Sequence, residues 1–250
     1  MPRSPEGLVL YREIAPPPDL APYVECFWFS EVEADGCQRI LPDGCLDLLF
    51  FSRGNRVVDA QVIGAMTRFQ DARLCARESI LGVRFHPGMA GACLRCDIPS
   101  LNDRAASLES VLGRPATTLL KDLGRCSSVE ARVEKLAPRL VTCSNLSEVQ
   151  HAIAELVRKR GHLSVSGFAD AAGLGDRQLR RACYRYSGLA PKQLSRILRF
   201  RHASNLLRQG ATDFAGVALD CGYYDQAHLS RDFRDLAGIS PARYIRQRGG

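Results

Sequence analysis

The chain has 250 residues, of which 46% are hydrophobic, 7% aromatic and 24% charged. That length bounds it to one or two domains, because single cores stop growing near this size, and the composition excludes fibrous and disordered classes. The longest apolar runs, Cys26-Phe27-Trp28-Phe29 and Leu48-Leu49-Phe50-Phe51, are strand-sized, short of the roughly 18 residues that a membrane span requires. Met1 to Gly7 carries no apolar stretch of a secretory signal, so the expected setting is cytoplasmic, with no membrane partner.

The formal net charge of +7 is unevenly spread. Residues 1–144 hold 17 Lys and Arg against 18 Asp and Glu, a net of −1; residues 145–250 hold 17 against 9, a net of +8. This is the footprint of a polyanion-binding module joined to something neutral; on charge alone, a solvated basic face is the plainer alternative. Only four of the 34 basic residues are Lys, a skew that reads as compositional bias and not as function. Of the 10 cysteines, eight precede residue 145: Cys26, Cys37, Cys45, Cys75, Cys93, Cys96, Cys126 and Cys143. In a reducing compartment they are free thiols, metal ligands or small core residues, not a disulfide framework.

The first part reads as β-rich. Pro16-Pro17-Pro18-Asp19 marks a loop, and residues 24–30 form an aromatic-rich strand candidate. Leu41-Pro42-Asp43-Gly44 is a turn signal. Residues 46–52 form a second strand, with Arg53-Gly54-Asn55 turning it into a hairpin with 56–58. Residues 61–65 and 79–85 are further strand candidates. After His86-Pro87-Gly88 the pattern changes to short helices near 88–95, 107–112 and 116–123. Apolar residues at 129, 133 and 136 predict a helix over 129–141, with a break at 142–145. A new helix starts at Ser147, places Val149, Ile153, Leu156 and Val157 on one face, and ends in Arg158-Lys159-Arg160-Gly161. The expected organisation is a β-rich domain over 1–125, a connecting helix and linker over 126–145, and a basic helical domain over 146–250.

The basic part contains an internal repeat. Phe168-Ala169-x-x-Ala172-Gly173 aligns with Val217-Ala218-x-x-Cys221-Gly222 at an offset of 49. Leu179-Arg180-Arg181-Ala182-Cys183 aligns with Leu229-Ser230-Arg231-Asp232-Phe233, and Gly188-Leu189-Ala190-Pro191 with Gly238-Ile239-Ser240-Pro241, both at an offset of 50. Each repeat reads as helix, tight turn, helix. Gly173 and Gly222 allow the left-handed backbone that the turn needs. Asp176 and Asp225 are N-cap candidates for the second helix, whose core face carries Leu179 and Cys183 or Leu229 and Phe233. Pro191 and Pro241 open the next helices, and residues 194–209 form a single amphipathic helix between the units. Such a helix-turn-helix, with a cationic face on its second helix, suits the major groove of double-stranded DNA.

Residues 146–250 resemble the DNA-binding domain of the AraC/XylS family of bacterial transcription regulators. The resemblance is strongest over Cys221-Gly222-Tyr223-Tyr224-Asp225-Gln226-Ala227-His228-Leu229-Ser230-Arg231-Asp232-Phe233-Arg234 and the closing Ala237-Gly238-Ile239-Ser240-Pro241. It implies two helix-turn-helix units on adjacent major-groove segments, and RNA polymerase as a further partner. Arg39 to Leu49 and Gly82 to Gly88 are similar to an uncharacterised sensor-like domain of one branch of that family, in which His86 stands where a second Arg is expected. Other members carry a cupin-like barrel that binds a small molecule or makes dimers. The expected fold class is therefore α+β: a β-rich, cupin-like or variant-barrel domain with short helices, then an all-α domain with two helix-turn-helix units.

Guanine reading needs a bidentate donor, which Arg supplies. Arg177, Arg180 and Arg181 share the outer side of the first recognition helix, Arg177 and Arg181 matching positions used in the family. Gln226, Ala227, Ser230 and Arg231 are their equivalents in the second helix. Arg185, Arg196, Arg199, Arg201 and Arg234 are candidates for phosphates. His228 reads as a packing group, and Asp232 and Asp235 are expected to point away from DNA.

Trp28, Arg39, Cys45, Arg84 and His86 are candidates for an effector pocket, the cations suiting an anionic small molecule; core or surface roles are the plainer reading. Cys93 and Cys96 form a CxxC on a predicted helix, a weak metal or redox signal without a second pair. A cysteine-based sensor and a constitutive DNA-binding protein whose first domain only makes a homodimer are the alternatives. Asp43 and Asp47 could pair as catalytic carboxylates, but Asp43 occupies a turn, and no phosphate loop, HExxH or GxSxG is present. No catalytic residue and no fixed cofactor is expected.

Overall fold

The computed structural model describes residues 8–94, 96–140 and 145–246. Cys143, Arg95 and most of the break expected at 142–145 lie outside the described residues. The N-terminal part is built from strands β1 (Leu8–Ile14), β2 (Val24–Val32), β3 (Gly36–Ile40), β4 (Leu46–Arg53), β5 (Arg56–Ile63), β6 (Gln70–Leu74) and β7 (Glu78–Phe85). Helix α1 (Ala90–Leu94), a 3-10 turn (Ile98–Leu101), strand β8 (Ala105–Ser107), and helices α2 (Leu108–Leu112), α3 (Arg114–Leu123) and α4 (Val129–Leu140) complete it. The two strand candidates at 56–58 and 61–65 are one strand, β5. β1, β3 and β6 carry weak alternation and gave no sequence signal.

The main sheet runs β1-β2-β7-β4-β5-β8, and β3 pairs with β6 in a separate two-stranded sheet. Alternation sets its faces. Phe27, Leu48, Phe50, Leu81, Val83 and Phe85 are almost wholly buried on one side and form one core with residues of α1 to α4. That cover replaces barrel closure. The expected barrel is corrected to an open sheet: β1 and the three-residue β8 lie at opposite edges, and helices shield one face. The expected linker is corrected too. Val133, Leu136, Ala137 and Leu140 of α4 are buried in the same core, so this helix belongs to the N-terminal domain.

The opposite sheet face is polar and aromatic. Gly82 pairs with Trp28 on one side and Leu49 on the other. The Trp28 indole lies across Gly82 so closely that a Cβ there would stand 2.1 Å from its Cε2.

The C-terminal part comprises α5 (Glu148–Arg158), α6 (Val165–Ala171), α7 (Asp176–Ser187), α8 (Pro191–Arg208), α9 (Phe214–Asp220), α10 (Gln226–Ala237) and α11 (Pro241–Arg246). Ser147 caps α5 in a capping box with Gln150. The repeat is structural: α6–α7 and α9–α10 are equivalent pairs. Phe168, Ala172, Leu179 and Cys183, and Val217, Cys221, Leu229 and Phe233, are all buried in one core around α8. The amphipathic reading of α8 is corrected. Leu194, Ile197, Phe200, Ala203 and Leu207, together with Pro191, Ser195 and Leu198 on the other half, are buried all around its circumference, because the two units pack on different sides of it.

Replacing Gly82 by Ala should push the Trp28 indole off the sheet and cost about 1–3 kcal/mol of stability. Trp28 is the sole tryptophan, so denaturant unfolding followed by intrinsic fluorescence reads the native-state emission and the stability together; unchanged values for both would refute the packing described.

Candidate nucleic-acid interface

Each recognition helix is held by its turn and its hydrophobic face. Gly173 and Gly222 have φ of +61° and +70°, and each bends the chain between the paired helices. Asp225 is the N-cap of α10, its carboxylate accepting from the His228 N–H at 2.6 Å. In α7 the expected cap is displaced by one residue: Gly175 is the N-cap, and Asp176 is the first helical residue, where its charge suits the helix dipole. Tyr223 is buried, with its ring edge-on to His228, which also accepts from the Tyr224 N–H.

With the inner faces buried, the outer faces are left to solvent. Arg177, Arg180, Arg181 and Arg185 of α7 are exposed, as are Gln226, Ala227, Arg231 and Arg234 of α10, while Ser230 is half-buried. These side chains make a surface of donors at equivalent places on two helices.

Three of the arginines assigned to phosphates are occupied within the protein. Arg196 donates to Asp232 at 2.9 Å and to Asp235 at 2.6 Å, tying α8 to α10. Asp232 is buried, so this pair neutralises a carboxylate inside the fold. Arg199 sits over the Tyr223 ring, 5.8 Å from its centroid, and reaches the Gly161 carbonyl. Arg201 is three-quarters buried and pairs with Glu25 of β2 and the Cys45 sulfur. These side chains face the protein interior or the N-terminal domain, so the phosphate expectation is corrected for all three. Two of them, Arg196 and Arg201, serve acids of the protein itself.

The effector candidates separate into a cluster and an outlier. Trp28 donates to Asp47 at 3.4 Å. Arg84 lies 3.3 Å from Asp47 and 3.5 Å from Asp43. Cys45 donates its backbone N–H to Asp43 and its thiol to Glu25. His86 lies close enough to Glu25 to feel its charge, although burial outweighs that pull and holds the imidazole below its ordinary value. Burial likewise lifts the Asp47 carboxyl to about 6 against the opposing pull of Arg84. Trp28, Cys45, Arg84 and His86 are thus joined through Asp43, Asp47 and Glu25 to Arg201 of α8.

Arg39 is elsewhere. It makes a two-point pair with Asp71 across β3 and β6, lies 4.0 Å over the Phe69 ring, and donates to the Ala237 carbonyl at the end of α10. The Phe69 N–H donates to the Leu236 carbonyl at 2.8 Å, and the Phe69 ring covers Gly238, where a Cβ would stand 2.4 Å away. The matching glycine of the other repeat, Gly188, gives its carbonyl to the Asn102 amide. Both recognition helices therefore end in left-handed glycine caps, φ +73° and +69°, pressed by N-terminal residues.

Residues 168–247 match the family described as Helix-turn-helix domain, and residues 12–107 match the Domain of unknown function (DUF6597). The C-terminal module is an AraC-type helix-turn-helix domain. The crystallised DNA-binding domain of AdpA, in complex with a target DNA, is 25% identical over 40% of this chain and 92% of its own, with a TM-score of 0.39. A transcriptional regulator from Chromobacterium violaceum is 27% identical over 40% of this chain and 91% of its own, with a TM-score of 0.38. ToxT from Vibrio cholerae is 12% identical over 89% of this chain and 99% of its own, with a TM-score of 0.48. No curated protein matches the chain.

The AraC-type module was legible in the sequence, but its attachments were not. Glu25, Phe69 and Asn102 carry no local signal, since their partners are 86 or more positions away in the chain. The two cysteines of the CxxC do not form a paired thiolate site. Cys93 is buried in α1, and burial pushes its thiol up to about 11. Cys96 lies beyond the end of that helix, so the two do not share a helical face, and burial raises its thiol as well. Among the described residues, no group of three or more His, Cys, Asp and Glu comes together to hold a metal ion. No helix among them is long and apolar enough to cross a membrane.

If Arg196 neutralises Asp232, Arg196→Ala should cost about 1–3 kcal/mol in denaturant unfolding without DNA, because it strands a buried carboxylate. Arg185→Ala should leave stability unchanged within about 0.5 kcal/mol. Equal stability in the two variants would argue against an internal role for Arg196.

Proposed function

We propose that the protein is a transcription regulator that binds duplex DNA through α7 and α10, with binding modulated by its N-terminal domain. The observation that carries this reading is the pair of equivalent, solvent-facing recognition helices fixed on one buried helix, α8. In this reading Arg177, Arg180 and Arg181 of α7, with Gln226, Ala227, Ser230 and Arg231 of α10, meet base edges in two major-groove segments. A guanidinium spans guanine O6 and N7, the Gln226 amide matches adenine, and the Ala227 methyl suits a thymine methyl. Arg185 and Arg234 lie further along the exposed faces and meet phosphates. The reading has RNA polymerase as a further partner and admits a second copy of the chain.

Modulation has a physical basis in the contacts between the domains. Glu25 holds Arg201 of α8, Phe69 and Arg39 hold the end of α10, and Asn102 holds the end of α7. A small molecule bound near Trp28, Arg84 and His86 would disturb the Asp43–Cys45–Glu25 chain and thereby Arg201. Such a ligand shifts the DNA-binding equilibrium only by its differential affinity for the two arrangements.

On a site selected from random duplexes, Arg181→Ala or Arg231→Ala should each cost about 1–3 kcal/mol and relax base preference at one position. Arg185→Ala or Arg234→Ala should weaken all sequences evenly and reduce the salt slope by about 1. Fluorescence anisotropy titrations at several salt concentrations separate the two patterns, and full affinity in both recognition-helix variants would sink the assignment.

Phe69→Ala and Asn102→Ala leave the recognition surface intact. Each should change affinity for the selected site by about 5-fold or more, the lower end of ordinary coupling between sites. Wild-type affinity in both would leave the N-terminal domain without influence on binding.

A further inference from the structure

We propose that the N-terminal domain holds a binding site for a small oxyanion-bearing molecule, a phosphate ester or a carboxylate, in the cleft between α4 and the β4–β5 and β6–β7 turns. The site is independent of the DNA-binding surface: none of its residues belongs to α5 through α11. It also lies apart from the cluster around Arg84.

The cleft has a volume of about 450 Å³ and is lined by Arg132 of α4. Arg132 is only 6% exposed. Its two terminal nitrogens donate to neutral groups, the Ser52 hydroxyl at 3.0 Å and the Asn55 carbonyl at 2.8 Å. Its Nε–H is buried without an acceptor, and among the described residues no carboxylate forms an ion pair with it. A buried guanidinium carries five donors and a full charge, and burying both without a counter-charge is costly. Among the described residues, the half-buried Arg84, Arg196 and Arg201 face acids and the half-buried Arg199 lies over the Tyr223 ring, while Arg132 is the most buried arginine. Arg132 instead faces a cleft.

The rest of the lining is suited to an anion. Arg77 adds a second cation from a left-handed backbone, φ +66°, and Ser79, Ser127 and Ser128 add hydroxyls. Ser127 and Ser128 immediately precede α4, a 12-residue helix whose N-terminal amides add positive potential. Of the acids at the cleft, Glu78 pairs with Arg53, and the neighbouring Glu130 pairs with Arg12. Glu31, exposed like Arg77, also lines the cleft and opposes an anion, against the two cations Arg132 and Arg77. Phe29, Val32 and Val129 give the cleft apolar walls. The volume exceeds that of a bare ion and suits a molecule with an apolar body. Arginine with hydroxyl and amide donors is the donor set that charge-assisted hydrogen bonding to phosphate or carboxylate oxygens uses.

Isothermal titration of the full chain with phenyl phosphate and, separately, sodium benzoate at matched ionic strength tests the site. Saturable binding of at least one probe is expected, and the tighter one identifies the head group. Arg132→Met should abolish it, and so should the double variant Arg77→Asn with Ser127→Ala, which leaves the core untouched if Arg132→Met does not fold. Arg181→Ala should bind like wild type. No saturable binding of either probe would overturn the proposal. So would binding that survives in the cleft variants but disappears in Arg181→Ala, which would locate it on the recognition helices.

Discussion

Everything in the C-terminal module depends on α8 being buried on all sides. A helix that gives apolar residues to its whole circumference has no solvent face, and it is stable only when neighbours enclose it. The two helix-turn-helix units are those neighbours. Phe200 illustrates the constraint: its ring lies edge-on to Phe233 of α10, with centroids 4.9 Å apart, and Phe233 in turn meets Tyr244 of α11 at 5.6 Å. Neither unit can rotate without opening this core. The geometry between the recognition helices is therefore a property of α8, and any influence on DNA binding acts through the helix ends or on α8 itself.

The N-terminal domain makes contact at those places. Gly188 and Gly238 occupy the same position in the two repeats, and each receives a different N-terminal residue: Asn102 at one, Phe69 at the other. The repeat creates two equivalent glycine caps, and an unrelated domain uses both. Gln150 of α5 adds a further tie, donating to the Gly88 carbonyl at 3.2 Å. The β-rich domain thus touches the ends of both recognition helices while leaving their outer faces open.

Charge is distributed with the same economy. The surplus in the basic module read as the footprint of a polyanion-binding module, but its arginines are not all turned outward. Those on α7 and α10 face water. On α8, Arg196 faces Asp232 and Asp235 and Arg201 faces Glu25, while Arg199 packs over the Tyr223 ring. Burial separates them, since a guanidinium removed from water is tolerated beside a carboxylate and costly without one. Arg132, the most buried arginine among the described residues, departs from that pattern.

The sequence by itself determined the helix-turn-helix module, because its signals are local and repeated. Glycines at 173 and 222, apolar pairs at i and i+4, and prolines at 191 and 241 specify turns, faces and helix starts within windows of a few residues. The strong strands β2, β4 and β7 were legible for the same reason, through aromatic and β-branched runs. Weakly alternating β1, β3 and β6 were not, and the open sheet could not be told from a barrel, since strand order is set by pairings far apart in the chain. Only the tertiary structure decided which arginines are free and which are spent. It removed Arg39 from the effector cluster, turned Arg201 into a bond between domains, and left Arg132 buried beside a cleft. The physical reason is that side-chain chemistry is written residue by residue, whereas desolvation and counter-charge depend on what folding brings alongside.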